Sequence, residues 1–429
     1  MDRKTGLATK LLEIAKATRQ IGFERLFDRK QDTFMTHDKV YGIDPKVRAQ
    51  YQGFLEALLQ HKESGKRFSR SAAQSMVQES IARLVDGQPT IESAVLEVEG
   101  LLAALAKDQP EYDGLCEVPG IILPKKSRPY LLAGAKVTRL SSGDYTSLVR
   151  RCKGVCSAVS KKKAYSAIFK PQLANLKGRT VMWCSYAAEP ERAQELSLET
   201  LDWVVMLLKY ACMALTPDNK DMAIGIRAVP RVEYFIIPKE SDSIITGAKA
   251  TGKVLPWRVR SLDRDRMRKA GVFVLSDIVV KSGNAKKPDP KSFESALLRA
   301  LQWTVTSLDL VTNGSKIVAL AIALETVFSP YASSSLTSAI AEGTAMTISH
   351  NPEQRQQICD RMTALYKMRS EYVHGYGDNA SDWDVLEMGY MVTSVISVLC
   401  RHVSEYKSLA DFSKALSKAK LTGRVFKGR

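Results

Sequence analysis

The residues best suited to chemistry are an arginine and a histidine five positions apart, Arg369 and His374. A histidine titrates near neutral pH, so its imidazole can accept a proton from one group and donate one to another. An arginine stays positively charged and presents a planar fork of donors that fits phosphate oxygens. RNA supplies its own nucleophile, because the 2′-hydroxyl can attack the adjacent phosphorus once a base removes its proton. The pair is therefore suited to cleaving RNA to a 2′,3′-cyclic phosphate, with no metal or other cofactor.

The same two residues also have a purely structural explanation. A lone histidine at a helix end is more often a cap or a packed side chain than a catalyst. Five residues of an ideal helix turn through about 140°, so Arg369 and His374 do not share one face. They could converge only if the last turn frays or if a second copy of the helix supplies the other half of the site.

Both residues lie near the end of a predicted helix, Gln354–His374. Its apolar residues recur at steps of three and four, which is the helical period. They are Ile358, Met362, Leu365 and Met368. Gly375 follows His374, and a glycine at that position fits a helix C-terminus closed by left-handed backbone.

This segment resembles the Arg-x4-His motif of HEPN domains. Tyr366, Arg369-Ser370 and Val373-His374-Gly375 are similar to the Apea-like HEPN subfamily of prokaryotic defence proteins. The resemblance extends upstream through Leu297–Trp303 and Ala323–Phe328 and covers roughly residues 291–405. Many HEPN families place a strongly polar or charged residue after the arginine, where this chain has a serine.

The resemblance implies a metal-independent endoribonuclease whose site forms across a two-fold dimer, so a homodimer or a higher homo-oligomer is expected. In that case Arg369 would orient and neutralise the scissile phosphate, and His374 would act as general base or acid. Three neighbours are supporting candidates that could direct hydrogen bonds around the pair: Ser370, Glu371 and Tyr372. The implied setting is anti-phage defence of the abortive-infection type, in which a phage-derived trigger leads to cleavage of tRNA, rRNA or mRNA.

Two other functions remain open. A non-catalytic HEPN module for dimerisation or RNA binding would bind RNA and leave it intact. A sensor that recruits a separate effector would show activity only with that partner.

Composition favours a polyanionic partner, and nucleic acid is the commonest one. The 429 residues include 63 Lys and Arg against 46 Asp and Glu, a net charge of +17, which favours association with phosphate backbones. A membrane is not expected as a partner, because there is no lipidation motif and no run of 18 apolar residues. The first residues suggest a charged amphipathic helix rather than a signal peptide, so a cytoplasmic location is expected.

The cysteines do not predict a metal site. There are seven, and the closest pair, Cys152 and Cys156, lacks a second pair or nearby histidines at zinc spacing. Reduced, mostly buried thiols are the expectation.

The hydrophobic pattern predicts a mainly α protein in four parts. Residues 1–112 have helical spacing, and residues 113–290 are typical of a mixed α+β middle domain with a sensing or RNA-binding role. Residues 291–410 predict a HEPN-like up-and-down helical bundle, with a Ser- and Gly-rich loop before the motif helix. Residues 411–429 predict a basic, disordered tail.

Within the middle domain, short apolar runs between Pro and Gly predict strands. They are Ile121–Leu123, Tyr130–Leu132, Val181–Ser185, Val232–Ile237 and Val272–Val280. A long apolar periodicity predicts one helix among them, Glu195–Leu215.

Two basic stretches of the middle domain combine cations with aromatic residues, as single-stranded RNA binding requires. The first precedes Tyr165 and consists of Lys161, Lys162 and Lys163. The second follows Trp257 and contains Arg258, Arg260, Arg264, Arg266 and Arg268. Asp263 and Asp265 lie in the second stretch, so salt bridges within a helix explain it nearly as well.

Overall fold

A computed structural model gives the architecture of most of the chain. It describes residues 3–22, 32–36, 39–61, 64–87, 89–118, 120–121, 123, 127–155, 170–215, 231–238, 245–250, 263–284, 289–329 and 335–422. The prediction of a mainly α fold is confirmed, since this part of the chain forms sixteen α-helices and two β-sheets.

The chain divides into two compact units. Unit 1 comprises Met1–Gly114, Ser185–Ser197 and Phe235–Ile245; unit 2 comprises Leu115–Cys184, Leu198–Tyr234 and Thr246–Arg429. Residues 113–290 are therefore divided between the units. Whether that stretch folds as a domain of its own stays a prediction.

The N-terminal part of unit 1 consists of five helices and a small sheet. The helices are α1 Arg3–Lys16, α2 Arg48–Leu59, α3 Ser64–Arg67, α4 Arg70–Asp86 and α5 Ile91–Ala106. The strands are β1 Thr18–Ile21, β2 Asp32–Thr36 and β3 Lys39–Ile43, antiparallel in the order β1-β3-β2. The helical prediction for residues 1–112 is wrong at this sheet, because strands of four or five residues are too short to show a clear periodicity. Apolar residues from β2, β3 and the neighbouring helices, such as Phe34, Tyr41 and Leu11, meet in one core.

A second sheet has six strands in the order β5-β6-β7-β4-β8-β9. They are β4 Glu111–Glu117, β5 Tyr130–Leu132, β6 Ala135–Arg139, β7 Thr180–Ala187, β8 Arg231–Pro238 and β9 Ile245–Ala250. Three of the predicted strands are confirmed as β5, β7 and β8, whereas residue 122 of the predicted strand Ile121–Leu123 lies outside the described residues. The turn between β5 and β6 has positive φ at Ala133 (49°) and Gly134 (78°), as a two-residue turn of a right-twisted hairpin requires.

Five more helices precede the C-terminal bundle in sequence, three of them between strands of this sheet and two after β9. They are α6 Ser142–Val155, α7 Lys170–Leu176, α8 Pro190–Leu215, α9 Arg264–Lys269 and α10 Val272–Asn284. The predicted helix Glu195–Leu215 is confirmed within α8. The predicted strand Val272–Val280 is wrong, since it forms most of α10. Its β-branched residues suggested a strand, but the buried positions Val272, Leu275 and Val279 follow steps of three and four.

The C-terminal part of unit 2 is a bundle of six helices. They are α11 Phe293–Thr306, α12 Asn313–Phe328, α13 Leu336–Ile348, α14 Pro352–Val373, α15 Asp382–Arg401 and α16 Leu409–Thr422. Helix α12 packs against α11, α13, α14 and α15, so it is the central helix of the bundle. The predicted motif helix Gln354–His374 is confirmed as α14, which begins two residues earlier and ends one residue before His374.

Two predictions about this region are wrong. The stretch expected to be a loop contains α13, whose small residues allow close packing: a Cβ at Gly343 would lie 2.6 Å from the Phe328 ring. Residues 411–422 of the expected tail belong to α16, which is anchored because the Phe412 ring packs 5.2 Å from that of Phe293 and 6.2 Å from that of Phe328. Residues 423–429 of the tail lie outside the described part.

Helix α15, with 20 residues, is long and apolar enough to cross a membrane. More than half of its most apolar segment, 56%, is buried inside the protein. The core helix of a soluble protein can have the same length and composition, so α15 alone is weak support for a membrane span.

Candidate active site

The motif helix α14 is defined by capping groups at both ends. Asn351 accepts hydrogen bonds from the backbone N–H groups of Glu353 (2.8 Å) and Gln354 (3.1 Å), and Pro352 occupies the first helical position. At the other end the N–H of Gly375 donates to the carbonyl of Tyr372 (3.1 Å), and that of Tyr376 to the carbonyl of Glu371 (2.9 Å). This is the Schellman pattern.

The C-terminal cap sets the backbone around the candidate histidine. His374 is the capping residue, with φ −86° and ψ 4°, and Gly375 has a φ of +82°. The prediction that Gly375 ends the helix in the left-handed region is therefore confirmed. His374 itself is exposed.

Arg369 lies on the inner side of α14, five residues before His374. Its Nη2 atom is 3.2 Å from Oε1 of Glu325 on α12, and only 24% of its side chain is exposed. Its Cζ atom lies 5.4 Å from the ring centroid of Tyr366, one turn earlier on α14, within range of a cation–π interaction. The Nε atom is buried and has no hydrogen-bond partner.

The hydroxyl of Tyr366 completes this cluster. It donates to Oε1 of Glu325 at 2.6 Å. Burial raises the pKa of Tyr366, and the hydrogen bond to Glu325 raises it further. The phenol therefore stays protonated and keeps donating at any physiological pH.

The structure does not bring the two candidate catalytic residues together within one chain. Arg369 contacts Glu325 inside the bundle, whereas His374 is exposed at the helix cap. This separation follows from the helical geometry of a five-residue spacing. A site that uses both residues on one phosphate therefore needs either a rearrangement or a second chain.

The supporting candidates have different surroundings. The carbonyl of Ser370 accepts the His374 N–H at 3.0 Å. Glu371 lies 3.8 Å from the amine of Lys367, one turn earlier. Tyr372 packs on the start of α12, where its hydroxyl is 2.9 Å from Oγ1 of Thr312. None of these three contacts involves the His374 imidazole, so the supporting roles of Ser370, Glu371 and Tyr372 stay predictions.

Glu325 was not among the predicted site residues, although the sequence held a signal for it. It is the one charged residue between Ile317 and Phe328, and a carboxylate in an otherwise apolar helix needs a partner. The identity of that partner could not be read from spacing, because the two residues lie on different helices.

Exposed aromatic and acidic side chains lie at the end of the bundle where α14 ends and α15 begins. Tyr376 and Trp383 are 76% and 66% exposed. The Asn313 side chain, at the start of α12, donates to Asp382 at 3.0 Å, so the start of α15 lies beside the residues that Tyr372 contacts. The aromatic rings could stack on bases, whereas the nearby acids do not favour phosphate.

The predicted basic patches are only partly described. Lys161, Lys162, Lys163, Arg258 and Arg260 lie outside the described residues. Arg264, Arg266 and Arg268 lie on α9, where the Arg268 guanidinium pairs with Asp265 at 2.6 Å. Arg264 lies over the Tyr130 ring, 5.1 Å from its centroid, and donates to the carbonyl of Pro129. Arg268 thus makes the intrahelical salt bridge that the alternative explanation expects, whereas Arg264 is held by a ring and a backbone carbonyl.

No protein-family model, curated protein or solved structure matches this chain. Across the described ranges, no three His, Cys, Asp or Glu side chains are grouped as a metal site would require. The prediction of metal-free chemistry stays a prediction.

Proposed function

We propose that this protein is a metal-independent endoribonuclease of the HEPN type, acting in cytoplasmic anti-phage defence of the abortive-infection kind. The proposal is supported by the resemblance of residues 291–405 to Apea-like HEPN domains and by a helical bundle that carries the Arg-x4-His segment at a helix end. The observation that carries it is that α14 holds the Arg369 guanidinium against Glu325 and, five residues later, leaves the His374 imidazole exposed.

The reaction would use the RNA's own 2′-hydroxyl. A base removes its proton, the 2′-oxygen bonds to the adjacent phosphorus, and the bond to the 5′-oxygen breaks. That oxygen leaves with a proton, so the products are a 2′,3′-cyclic phosphate and a 5′-hydroxyl. His374 would serve as the base or as the acid, and Arg369 would neutralise the equatorial oxygens of the phosphorane.

A homodimer would resolve the separation of the two side chains. A two-fold axis beside α14 would place the His374 of one chain near the Arg369 of the other. The N-terminal 290 residues would then sense a phage-derived trigger, restrain the nuclease or hold the RNA. Unrestrained cleavage would be toxic, so an off-state is expected.

The test is cleavage of mixed tRNA and ribosomal RNA by the purified protein in EDTA, compared with His374→Ala. His350→Ala is the matched control, because His350 is also exposed but precedes the other end of the same helix. The proposal expects fragments ending in 2′,3′-cyclic phosphate from the wild type and from the control only. Equal cleavage by His374→Ala would overturn the assignment of the histidine.

A second candidate is a non-catalytic HEPN module that binds RNA or dimerises. The ion pair of Arg369 with Glu325 favours it, because a structural role alone would explain that contact. This function expects RNA to be bound and left intact. Arg369→Ala and His374→Ala would then change only the affinity for RNA. If the protein is instead a sensor, a separately encoded effector would copurify with it.

A further inference from the structure

One acidic residue interrupts the apolar surface of the central helix α12. Leu324 and Val327 beside Glu325 are buried, and the Glu325 side chain is only 19% exposed. Placing a carboxylate at that depth costs hydration free energy unless hydrogen bonds or opposite charge compensate for it. The partners of Glu325 therefore indicate why the residue is there.

Both partners bind the same carboxylate oxygen. Oε1 of Glu325 accepts the Tyr366 hydroxyl at 2.6 Å and lies 3.2 Å from Nη2 of Arg369. Tyr366 and Arg369 are three residues apart on α14 and so lie on one face of it. Because the Tyr366 ring also lies against the guanidinium, Arg369 is held at its edge by a carboxylate and at its face by a ring.

This arrangement restricts how a phosphate can reach Arg369. Nε is buried, and Nη2 is the atom that forms the ion pair with Glu325. Nη1 is the terminal nitrogen that takes no part in these two contacts. An arginine already fixed in this way loses less side-chain entropy when it binds an anion than a free one would.

We infer that Glu325 is a positioning residue of the nuclease site, which acts by holding the Arg369 guanidinium for the scissile phosphate while Tyr366 holds Glu325. The inference rests on the proposed function. Glu325 is poorly placed to transfer a proton itself, because its Oε1 already accepts from Tyr366 and pairs with Arg369. Its effect on the reaction passes through Arg369.

The test compares Glu325→Gln with wild type in the RNA cleavage assay, with kcat and KM measured separately. Glutamine keeps the size and an acceptor for Tyr366 but removes the charge. Positioning predicts a kcat lower by about tenfold to a hundredfold, with KM little changed and the pH dependence of kcat retained. Glu353→Gln, an exposed change on the first turn of α14, is the matched control and should leave kcat unchanged.

A double variant separates positioning from general damage to the fold. If Glu325 acts through Arg369, the double variant Glu325→Gln with Arg369→Ala cleaves no more slowly than Arg369→Ala alone. If the double variant instead cleaves more slowly than Arg369→Ala, by the factor that Glu325→Gln causes alone, then Glu325 acts independently of Arg369. That result would overturn the inference. The inference would also be overturned if the fall of kcat at low pH disappears in Glu325→Gln, because that result would identify Glu325 as the proton acceptor.

Other outcomes are equally decisive. Faster cleavage by Glu325→Gln would show that Glu325 restrains Arg369 rather than positions it. If Glu325→Gln does not fold, Tyr366→Phe takes its place, and a fall in kcat is again expected. If wild type and Arg369→Ala both leave the RNA intact, the proposed function and the inference are overturned together. If wild type cleaves RNA and Glu325→Gln cleaves it equally fast, the inference alone is overturned.

Discussion

At the scale of single residues, the motif segment is fixed by side chains from α12 as well as by its own helix. The Tyr372 ring lies on Gly314 in the first turn of α12, and its hydroxyl reaches Thr312. Because Tyr372 is two residues before His374, this contact sets where the end of α14 lies. A side chain at position 314 would remove the space that the ring occupies.

Gly314→Ala should therefore destabilise unit 2. The added Cβ would lie 2.1 Å from the Tyr372 ring carbon Cδ2, and the ring cannot rotate away while its hydroxyl is bonded to Thr312. We expect a loss of about 1–3 kcal/mol in the free energy of unfolding, measured by urea unfolding.

Gly283→Ala is the control for that change. Position 283 lies in α10, and nothing lies within 4 Å of the added Cβ. This variant should be neutral or more stable by about 0.5–1 kcal/mol, since alanine favours the helix. Equal stability of Gly314→Ala and wild type would mean that Tyr372 does not pack on α12.

At the scale of elements, helices α14 and α15 are joined by a charged cluster. Arg361 donates to the carboxylates of Asp384 and Glu387, and Asp384 also accepts from the hydroxyl and backbone N–H of Ser381 at the start of α15. Burial alone would raise the pKa of Asp384, but Ser381 and Arg361 together lower it below the ordinary value of 3.8.

This pKa gives a pH dependence with a definite sign. A carboxyl group with a lowered pKa in the folded state stabilises the fold above its ordinary pKa and loses that contribution as pH falls through the folded value. Asp384→Asn should cost about 2 kcal/mol at neutral pH. The difference from wild type should shrink as the pH falls below about 4.

The measurement is the urea midpoint of both proteins across that pH range. A difference that stays constant with pH would show that the stabilisation comes from packing rather than from the charge of Asp384. Asp382→Asn is a suitable comparison because Asp382 is exposed and lies two residues earlier on the same helix.

At the scale of the whole molecule, the proposed reaction depends on a second copy of the chain. Coexpressed Arg369→Ala and His374→Ala subunits would form mixed dimers in which one groove retains one arginine and one histidine. We expect RNA cleavage to return in the mixed dimers although neither variant cleaves alone. The rate should be below that of wild type, because subunits also pair with their own kind.

Light scattering supplies the control for that experiment. Mixed dimers that are present and inactive would argue against a site shared between chains. A monomeric wild type with full activity would exclude the shared site altogether.

The sequence predicted the bundle better than it predicted the first sheet. Long helices such as α8, α12 and α14 have a 3.6-residue period over several turns, which is a local signal. The strands β1 to β3 depend on pairing between short segments, and such pairing leaves little trace in any one of them. Helix α10 was missed because its β-branched residues suggested a strand, and helix α13 because its small residues suggested a loop. In both segments the packing of the folded chain outweighs the intrinsic preference of these residues.

The sequence by itself determined the helical class, the strongly basic charge, and the position of Arg369 and His374 at a helix that ends with Gly375. These follow from composition, periodicity and the need for left-handed backbone at a helix end. Only the tertiary structure decided that Tyr366 and Arg369 both contact Glu325 of α12 while His374 is exposed. That outcome depends on how α12 packs on α14, because a contact between side chains of separate helices is set by packing and leaves no spacing in the sequence to read.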